Sequence, residues 1–149
     1  MISVALDTNC LVAVALAHHV HRAETVAALD RLEADGAEII MLGHALLEAY
    51  AVLTRLPGAE RVNPELAYRA LAESWSDLPV AALPANEIWG FLTAAADAEI
   101  GGGRVYDALI AETASLAGVD TLLTWNPRHF SHWPMAATRA VTPRDVLAG

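Results

Sequence analysis

Short apolar runs alternate along the chain with longer segments in which apolar residues recur every three or four positions. The short runs are rich in β-branched and other aliphatic residues, which is typical of strands buried on both faces. The longer segments have the spacing of amphipathic helices. The pattern therefore predicts strands at residues 2–6, 38–42, 79–83, 120–124 and 139–141, the last of them at an edge.

Caps and chain breakers mark the ends of the predicted helices. Thr8 or Asn9 is expected to cap a first helix that runs to residue 17. A second helix is expected over residues 18–35, with Gly36 at its end. The other helices are predicted over residues 44–56, 63–77 and 104–117, after Pro84 and after Thr142.

The alternation of strands and helices predicts an α/β fold with three layers, α/β/α, and a mainly parallel central sheet of four or five strands. We expect a single domain over residues 1–149, since neither a repeat nor a linker divides the chain. In open sheets of this kind, ligands bind at the carboxyl ends of the strands. The residues that follow the predicted strands are therefore the first candidates for chemistry.

The composition excludes several classes of protein. Hydrophobic residues make up 55% of the chain, which excludes disorder. No apolar run approaches the roughly 20 residues of a membrane-spanning helix, and no basic segment precedes an apolar run as in a secretory signal. Cys10 is the single cysteine and cannot form an internal disulfide, so we expect a cytoplasmic protein.

The charge of the chain limits the ways in which it can bind nucleic acid. The formal net charge is −9, with nine arginines and no lysine. The absence of lysine excludes Schiff-base chemistry and a phosphate-binding lysine. The negative total argues against a broad basic face that coats nucleic acid, so such a site would need local positive charge from metal ions or a few arginines.

Acidic residues in apolar surroundings are the strongest candidates for a site. Asp7 directly follows the first strand, and Asn126 follows the fourth. Glu48 and Asp107 lie early in apolar helices without a basic residue four positions later. If the three carboxylates converge, they would repel one another unless a divalent cation lay between them. Oxygen-only ligation is typical of Mg²⁺ or Mn²⁺.

Four segments match, in order, the motifs of a known family. Residues 2–9, 46–50, 106–111 and 122–130 each resemble one motif of the PIN-domain ribonucleases, the last in the variant that carries asparagine. The motifs appear in the order of the family, and the resemblance extends over essentially the whole chain. The size of the chain is similar to that of the VapC-type toxins of bacterial toxin–antitoxin pairs.

The resemblance implies a metal-dependent ribonuclease with a catalytic site of Asp7, Glu48 and Asp107, supported by Thr8 and Asn126. The three carboxylates would hold Mg²⁺ or Mn²⁺ and assist hydrolysis of an RNA phosphodiester. Many relatives carry aspartate where Asn126 stands, so we expect one firmly held ion and a second that arrives with the substrate phosphate. The resemblance also implies a homodimer and an antitoxin protein as partner.

Basic and aromatic residues flank these motifs. Arg104 and Arg128 are candidates for phosphate contact, although a role in surface solubility accounts for them equally well. His44 and His129 are expected as caps or donors beside the site. The three histidines within residues 18–21 lack the further cysteine or histidine that a transition-metal site needs. The four tryptophans are expected in the core or at an interface.

Two other functions stay open at this point. An aspartate after the first strand also begins acid-nucleophile phosphatases, which usually have an acid two residues later and a lysine further on. Here Asn9 holds that position, and lysine is absent. The other alternative is a non-catalytic domain that binds RNA or protein, which the neutral Asn126 favours. Metal-dependent RNA cleavage that is lost in Asp7→Asn would separate these functions.

Overall fold

The computed structural model describes all residues, Met1–Gly149. Its five strands are β1 Ser3–Leu6, β2 Glu38–Leu42, β3 Val80–Ala81, β4 Thr121–Leu123 and β5 Arg139–Val141. They form one sheet in the order β3-β2-β1-β4-β5, and every neighbouring pair is parallel.

Seven α-helices accompany the sheet. They are α1 Thr8–Ala15, α2 Arg22–Ala34, α3 Gly43–Thr54, α4 Pro64–Trp75, α5 Ile88–Asp97, α6 Arg104–Leu116 and α7 Pro143–Ala148. α1 packs against α3, α2 against α7, and α5 against α6. The predicted three-layer α/β/α fold is confirmed, with a sheet that is parallel throughout. None of the helices has both the length and the apolar content that a membrane crossing needs.

The central strands β1 and β4 are buried at the ends that lie nearest the site. Leu6, Leu122 and Leu123 have no exposed surface. Parallel strands lose both faces to covering helices, so their sequences are continuously apolar rather than alternating. Leu6 lies opposite Leu123 in the register of the two strands. This register brings the residues that follow β1 and β4 to the same edge of the sheet.

The cap of α1 is Asp7, whereas the sequence predicted Thr8 or Asn9. The Asp7 backbone is extended (φ −71°, ψ 159°), and its carboxylate accepts a hydrogen bond from the Thr8 N–H at 2.8 Å. Asn9 lies inside the helix, and its side chain reaches across to the end of β4. The helix ends at Ala15, earlier than predicted, because Leu16 adopts extended backbone angles.

The second helix begins at Arg22, so its predicted start at residue 18 was wrong. Within the intervening turn, the His21 backbone N–H donates to Nδ1 of His19 at 3.0 Å. A local bond from backbone to side chain offers the chain an alternative to helical hydrogen bonding. Val20, an apolar residue within the range predicted for this helix, is 81% exposed.

The apolar stripes of α3 and α5 are wider than the faces they bury. Leu47 in α3 is 73% exposed, and Trp89 in α5, one of the tryptophans expected in the core or at an interface, is 80% exposed. Trp75 and Trp133 are buried, as predicted. Helical periodicity shows which residues share a face, but it does not show how much of that face another element covers.

Candidate active site

One cleft at the carboxyl ends of β1 and β4 gathers the predicted site residues. Its volume is about 350 Å³, and two of its ten lining residues are hydrophobic. The lining residues are Asp7, Thr8, Asn9, Val12, His19, Glu48, Val52, Asp107, Asn126 and His129. The five residues proposed for catalysis therefore face a common space, although they are up to 119 positions apart in the chain (7 to 126).

The two central strands deliver the first part of the cleft. Asp7 is the residue after β1, and its backbone N–H donates to the Leu123 carbonyl of β4 at 2.9 Å. The Thr124 N–H donates to the Val141 carbonyl at 2.9 Å, which extends the pairing of β4 with β5. Sheet hydrogen bonding therefore continues to the residues that line or support the cleft.

Thr124 is the centre of a hydrogen-bond network that holds this part together. Its side chain is completely buried, and Oγ1 donates to Oδ2 of Asp7 at 2.7 Å. The same oxygen accepts from Nδ2 of Asn9 at 3.3 Å and from the Asn126 N–H at 3.1 Å. Oδ1 of Asn9 accepts from the Trp125 N–H at 3.1 Å. One hydroxyl thus ties the carboxylate of Asp7 to both asparagines.

Sequence reasoning missed Thr124 and Asn9 as supporting residues. A signal for Thr124 was present, because it follows the buried apolar strand β4 directly and stands two residues before Asn126. Asn9 was considered as a helix cap, since an amide early in a helix usually serves that purpose. Only the pairing of β1 with β4 shows that Asn9 and Thr124 meet.

The second part of the cleft comes from helices α3 and α6. Glu48 lies in α3, and its Oε2 is 3.1 Å from Nε2 of His44, one helical turn earlier. Asp107 lies in the first turn of α6, where the helix dipole favours a carboxylate, and its Oδ2 is 3.7 Å from Nδ1 of His129. The prediction that His44 and His129 flank the site is confirmed.

The carboxylates of the cleft influence one another electrostatically. Burial raises the pKa of Asp7 to about 6; the bonds from Thr124 and the Thr8 N–H oppose the rise, and the charges of Asp107 and Glu48 add to it. Burial also raises the pKa of Asp107 above its ordinary range, while nearby His129 counteracts the rise. The cleft therefore concentrates negative potential at one end of the sheet.

The donor atoms of the cleft fit a hard divalent cation. The carboxylates and the amide of Asn126 supply oxygen, the atom type that Mg²⁺ and Mn²⁺ prefer. Thr8 adds a buried Oγ1 that has no hydrogen-bond partner in the protein. No group of three or more His, Cys, Asp or Glu side chains is close enough to hold an ion by itself. Water or substrate oxygens would have to complete the coordination, and Mg²⁺ commonly keeps several waters.

The two arginines proposed for phosphate contact lie outside the cleft lining. Arg104 begins α6, and its charge lowers the pKa of Asp107, although burial and Glu48 raise that pKa. Arg128 lies in the short 3₁₀ turn Pro127–Phe130 and is exposed. Their role in phosphate binding stays a prediction.

An α/β/α domain with an acidic, oxygen-lined cleft at its strand ends defines the class of this protein. The chain belongs to the PIN-domain family, whose model matches residues 4–133. Ribonuclease VapC40 of Mycobacterium tuberculosis is 35% identical over 119 residues, which cover 80% of this chain and 84% of that protein. Ribonuclease VapC27 of the same organism is 37% identical over 112 residues, covering 74% and 76%. The predicted resemblance to PIN-domain proteins of the VapC type is confirmed.

The fold is also similar to that of solved structures. A crystal structure of VapBC2 from Rickettsia felis, bound to a DNA fragment from its promoter, contains a chain with a TM-score of 0.68 to this one. The two chains are 20% identical, and the match covers 95% of this chain and 98% of the other. This likeness supports the three-layer architecture that the sequence predicted.

Proposed function

We propose that the protein is a metal-dependent ribonuclease that hydrolyses RNA phosphodiester bonds and is the toxin of a toxin–antitoxin pair. The observation that carries the proposal is the cleft that Asp7, Glu48 and Asp107 share, where burial and neighbouring charges raise the pKa of Asp7 to about 6. The names of the two relatives, both ribonucleases, support RNA as the substrate.

Asp7, Glu48 and Asp107 would hold Mg²⁺ or Mn²⁺, with Thr8 and Asn126 in support. When bound, the ion supplies positive charge that offsets the phosphate and favours ionisation of an attacking water. Asn126 adds an oxygen without charge, which favours one firmly held ion over two. Asn126 is also the feature that favours a non-catalytic domain.

Hydrogen bonds within the protein fix the orientation of the Asp7 and Glu48 side chains before substrate arrives. Thr124 and the Thr8 N–H each bond one oxygen of Asp7, so the carboxylate cannot rotate freely. Glu48, restrained by His44, would orient the attacking water or serve as a ligand of the ion. Such preorganisation favours catalysis because the polar groups need little rearrangement during the reaction.

The substrate must approach a chain of formal net charge −9. Arg104 lies on α6, which also carries Asp107, and Arg128 lies in the 3₁₀ turn that follows Asn126. We propose that these two arginines contact RNA phosphates. An acidic surface also suits a basic partner protein.

We propose an antitoxin as partner and a homodimer as the assembly, both in the cytoplasm. The structural neighbour is part of a VapBC complex, which supports the antitoxin. Exposed aromatic and aliphatic side chains support self-association, because aromatic residues are enriched in protein–protein interfaces. These side chains include Leu47, Tyr68, Trp89 and Tyr106.

RNA cleavage by purified, partner-free protein tests the proposed function. The wild type should cut bacterial RNA with Mg²⁺ or Mn²⁺ and stop when EDTA is added. Asp7→Asn should lose at least about 100-fold of the activity, since it removes a charge that the reaction needs. Circular dichroism would show that the variant is folded. A wild type that binds RNA without cutting it would instead support the non-catalytic alternative.

A further inference from the structure

The turn between α1 and α2 brings a histidine to the acidic cleft. The His19 N–H donates to the Leu16 carbonyl at 3.0 Å, and the Arg22 N–H donates to the His19 carbonyl at 3.1 Å. Both backbone groups of His19 are therefore bonded. It is one of the ten residues that line the cleft, together with Asp7 and Asp107.

An aromatic contact ties this turn to the end of β4. The His21 ring stacks on Trp125, with 4.0 Å between centroids and 15° between planes. Nε1 of Trp125 donates to Oγ1 of Thr25 in α2 at 3.0 Å, and the Arg144 guanidinium lies 5.3 Å from the indole centroid. Trp125 directly precedes Asn126, so the turn is held against the segment that carries a cleft residue.

The hydrogen bond at Nδ1 determines which ring nitrogen of His19 carries the proton. Nδ1 accepts from the His21 N–H, and a ring nitrogen can accept only through its lone pair. The proton of the neutral ring is therefore on Nε2. Burial, followed by the influence of His21, lowers the pKa of His19, which is consistent with the neutral ring.

His19 is one of several hydrogen-bond donors, with Asn126 and His129, that could meet a phosphodiester in the cleft. Three carboxylates line it, and neither Arg104 nor Arg128 does. A neutral N–H group can bond a phosphate oxygen without forming an ion pair with the neighbouring acids, as a lysine or arginine would.

We propose that His19 is a substrate-contacting residue, whose Nε2–H donates a hydrogen bond to a phosphate oxygen of the bound RNA. This inference rests on the proposed ribonuclease function. The contact orients the phosphate against the acidic groups of the cleft.

Three substitutions distinguish the role of His19 as a hydrogen-bond donor to RNA from its role in holding the turn. His19→Asn places an amide oxygen near the position of Nδ1, so it keeps the bond from His21 and removes the longer-reaching donor. His19→Gln places an N–H near the position of Nε2. His19→Ala removes both groups. His18→Asn, at the exposed neighbouring position that does not line the cleft, is the matched control.

Initial rates of cleavage of total bacterial RNA, at subsaturating RNA and saturating Mn²⁺, test the proposal. His19→Asn and His19→Ala should each lose about 10- to 100-fold, the effect of one hydrogen bond to a charged group. His19→Gln should recover most of the loss, and His18→Asn should match the wild type. Nitrogen NMR of the histidine rings should show the proton of His19 on Nε2.

Two results would overturn this inference without overturning the proposed ribonuclease function. One is wild-type cleavage by His19→Asn, which would restrict His19 to holding the turn. The other is a proton on Nδ1 in the NMR spectrum. If the wild type itself cuts no RNA, the proposed function fails, and the inference fails with it.

Discussion

The two parts of the cleft differ in how their side chains are held. Asp7 and Asn126 follow central strands, and the buried hydroxyl of Thr124 bonds both the Asp7 carboxylate and the Asn126 backbone N–H. Glu48 and Asp107 project from helices, and the hydrogen-bond or ion-pair partner of each is a histidine. The side chain of Glu48 is 33% exposed and that of Asp107 is 32% exposed, whereas Asp7 is 6% exposed as a residue.

This difference indicates that the two parts of the cleft have different roles. The strand-borne part has its geometry fixed by sheet pairing and buried hydrogen bonds, so a change there affects folding as well as chemistry. The helix-borne part is partly exposed and can adjust to an ion or a substrate at small cost in stability. The following predictions test this comparison, in decreasing order of the expected effect on stability.

Thr124→Val should produce the largest loss of stability. The substitution keeps the shape but removes the donor to Asp7 and the acceptor for Asn9 and for the Asn126 N–H. We expect the free energy of unfolding to fall by about 2–4 kcal/mol, because buried polar groups lose their partners. Urea denaturation measures this change.

Thr124→Ser is the matched control, since it retains the hydroxyl and loses only a methyl group. We expect it to keep most of the stability that Thr124→Val loses. Equal stability of Thr124→Val and the wild type would contradict the view that this hydroxyl holds the strand-borne part together.

The stability of the metal-free protein should depend on pH through Asp7. Burial raises the pKa of Asp7 from 3.8 to about 6 in the folded protein. The folded state then binds this proton more tightly than the unfolded state, so the contribution of Asp7 to stability falls as the pH rises from about 4 through about 6. The loss is at most about 3 kcal/mol.

Comparison of the wild type with Asp7→Asn isolates this effect from the other carboxylates. In EDTA, the stability of the wild type relative to Asp7→Asn should decrease between these two pH values, as measured by denaturation. Added Mg²⁺ or Mn²⁺ should stabilise the wild type at neutral pH and stabilise Asp7→Asn less. Parallel pH profiles for the two proteins would show that Asp7 does not bind its proton as the structure indicates.

Asp107→Asn should change the free energy of unfolding by less than about 1 kcal/mol, because the side chain is partly exposed. It should also lower the pKa of Asp7, since it removes one of two neighbouring negative charges. Carbon NMR of the Asp7 carboxyl group measures that pKa. An unchanged value would mean that the two parts of the cleft do not interact electrostatically.

His44→Ala should have the smallest effect on stability, below about 1 kcal/mol, because the bond to Glu48 is partly exposed. The ring also stacks on Tyr106, with 5.0 Å between centroids. We expect RNA cleavage to fall about 10-fold, since Glu48 loses the group that orients it. His44→Gln keeps a donor and should recover part of the rate; no difference between the two variants would contradict a role for the bond.

Much of the site could be predicted because its acidic residues lie in apolar segments of the sequence, where acidic residues are uncommon. Asp7 ends a buried strand, and Glu48 and Asp107 interrupt apolar helices, so each is visible in the sequence. His19 was not predicted as a cleft residue. The pattern of residues 18–35 extended the second helix back through it, and local periodicity does not show a turn that a side chain–backbone bond stabilises.

The sequence by itself determined the order of strands and helices, the parallel sheet and the residue types that could hold a cation. These properties follow from local periodicity and from the burial that parallel strands require. The tertiary structure alone decided that Thr124 bonds Asp7, that His19 reaches the cleft and that Trp89 remains exposed. Such contacts depend on strand register and on which helix covers which face, and these arise from packing between residues far apart in the chain.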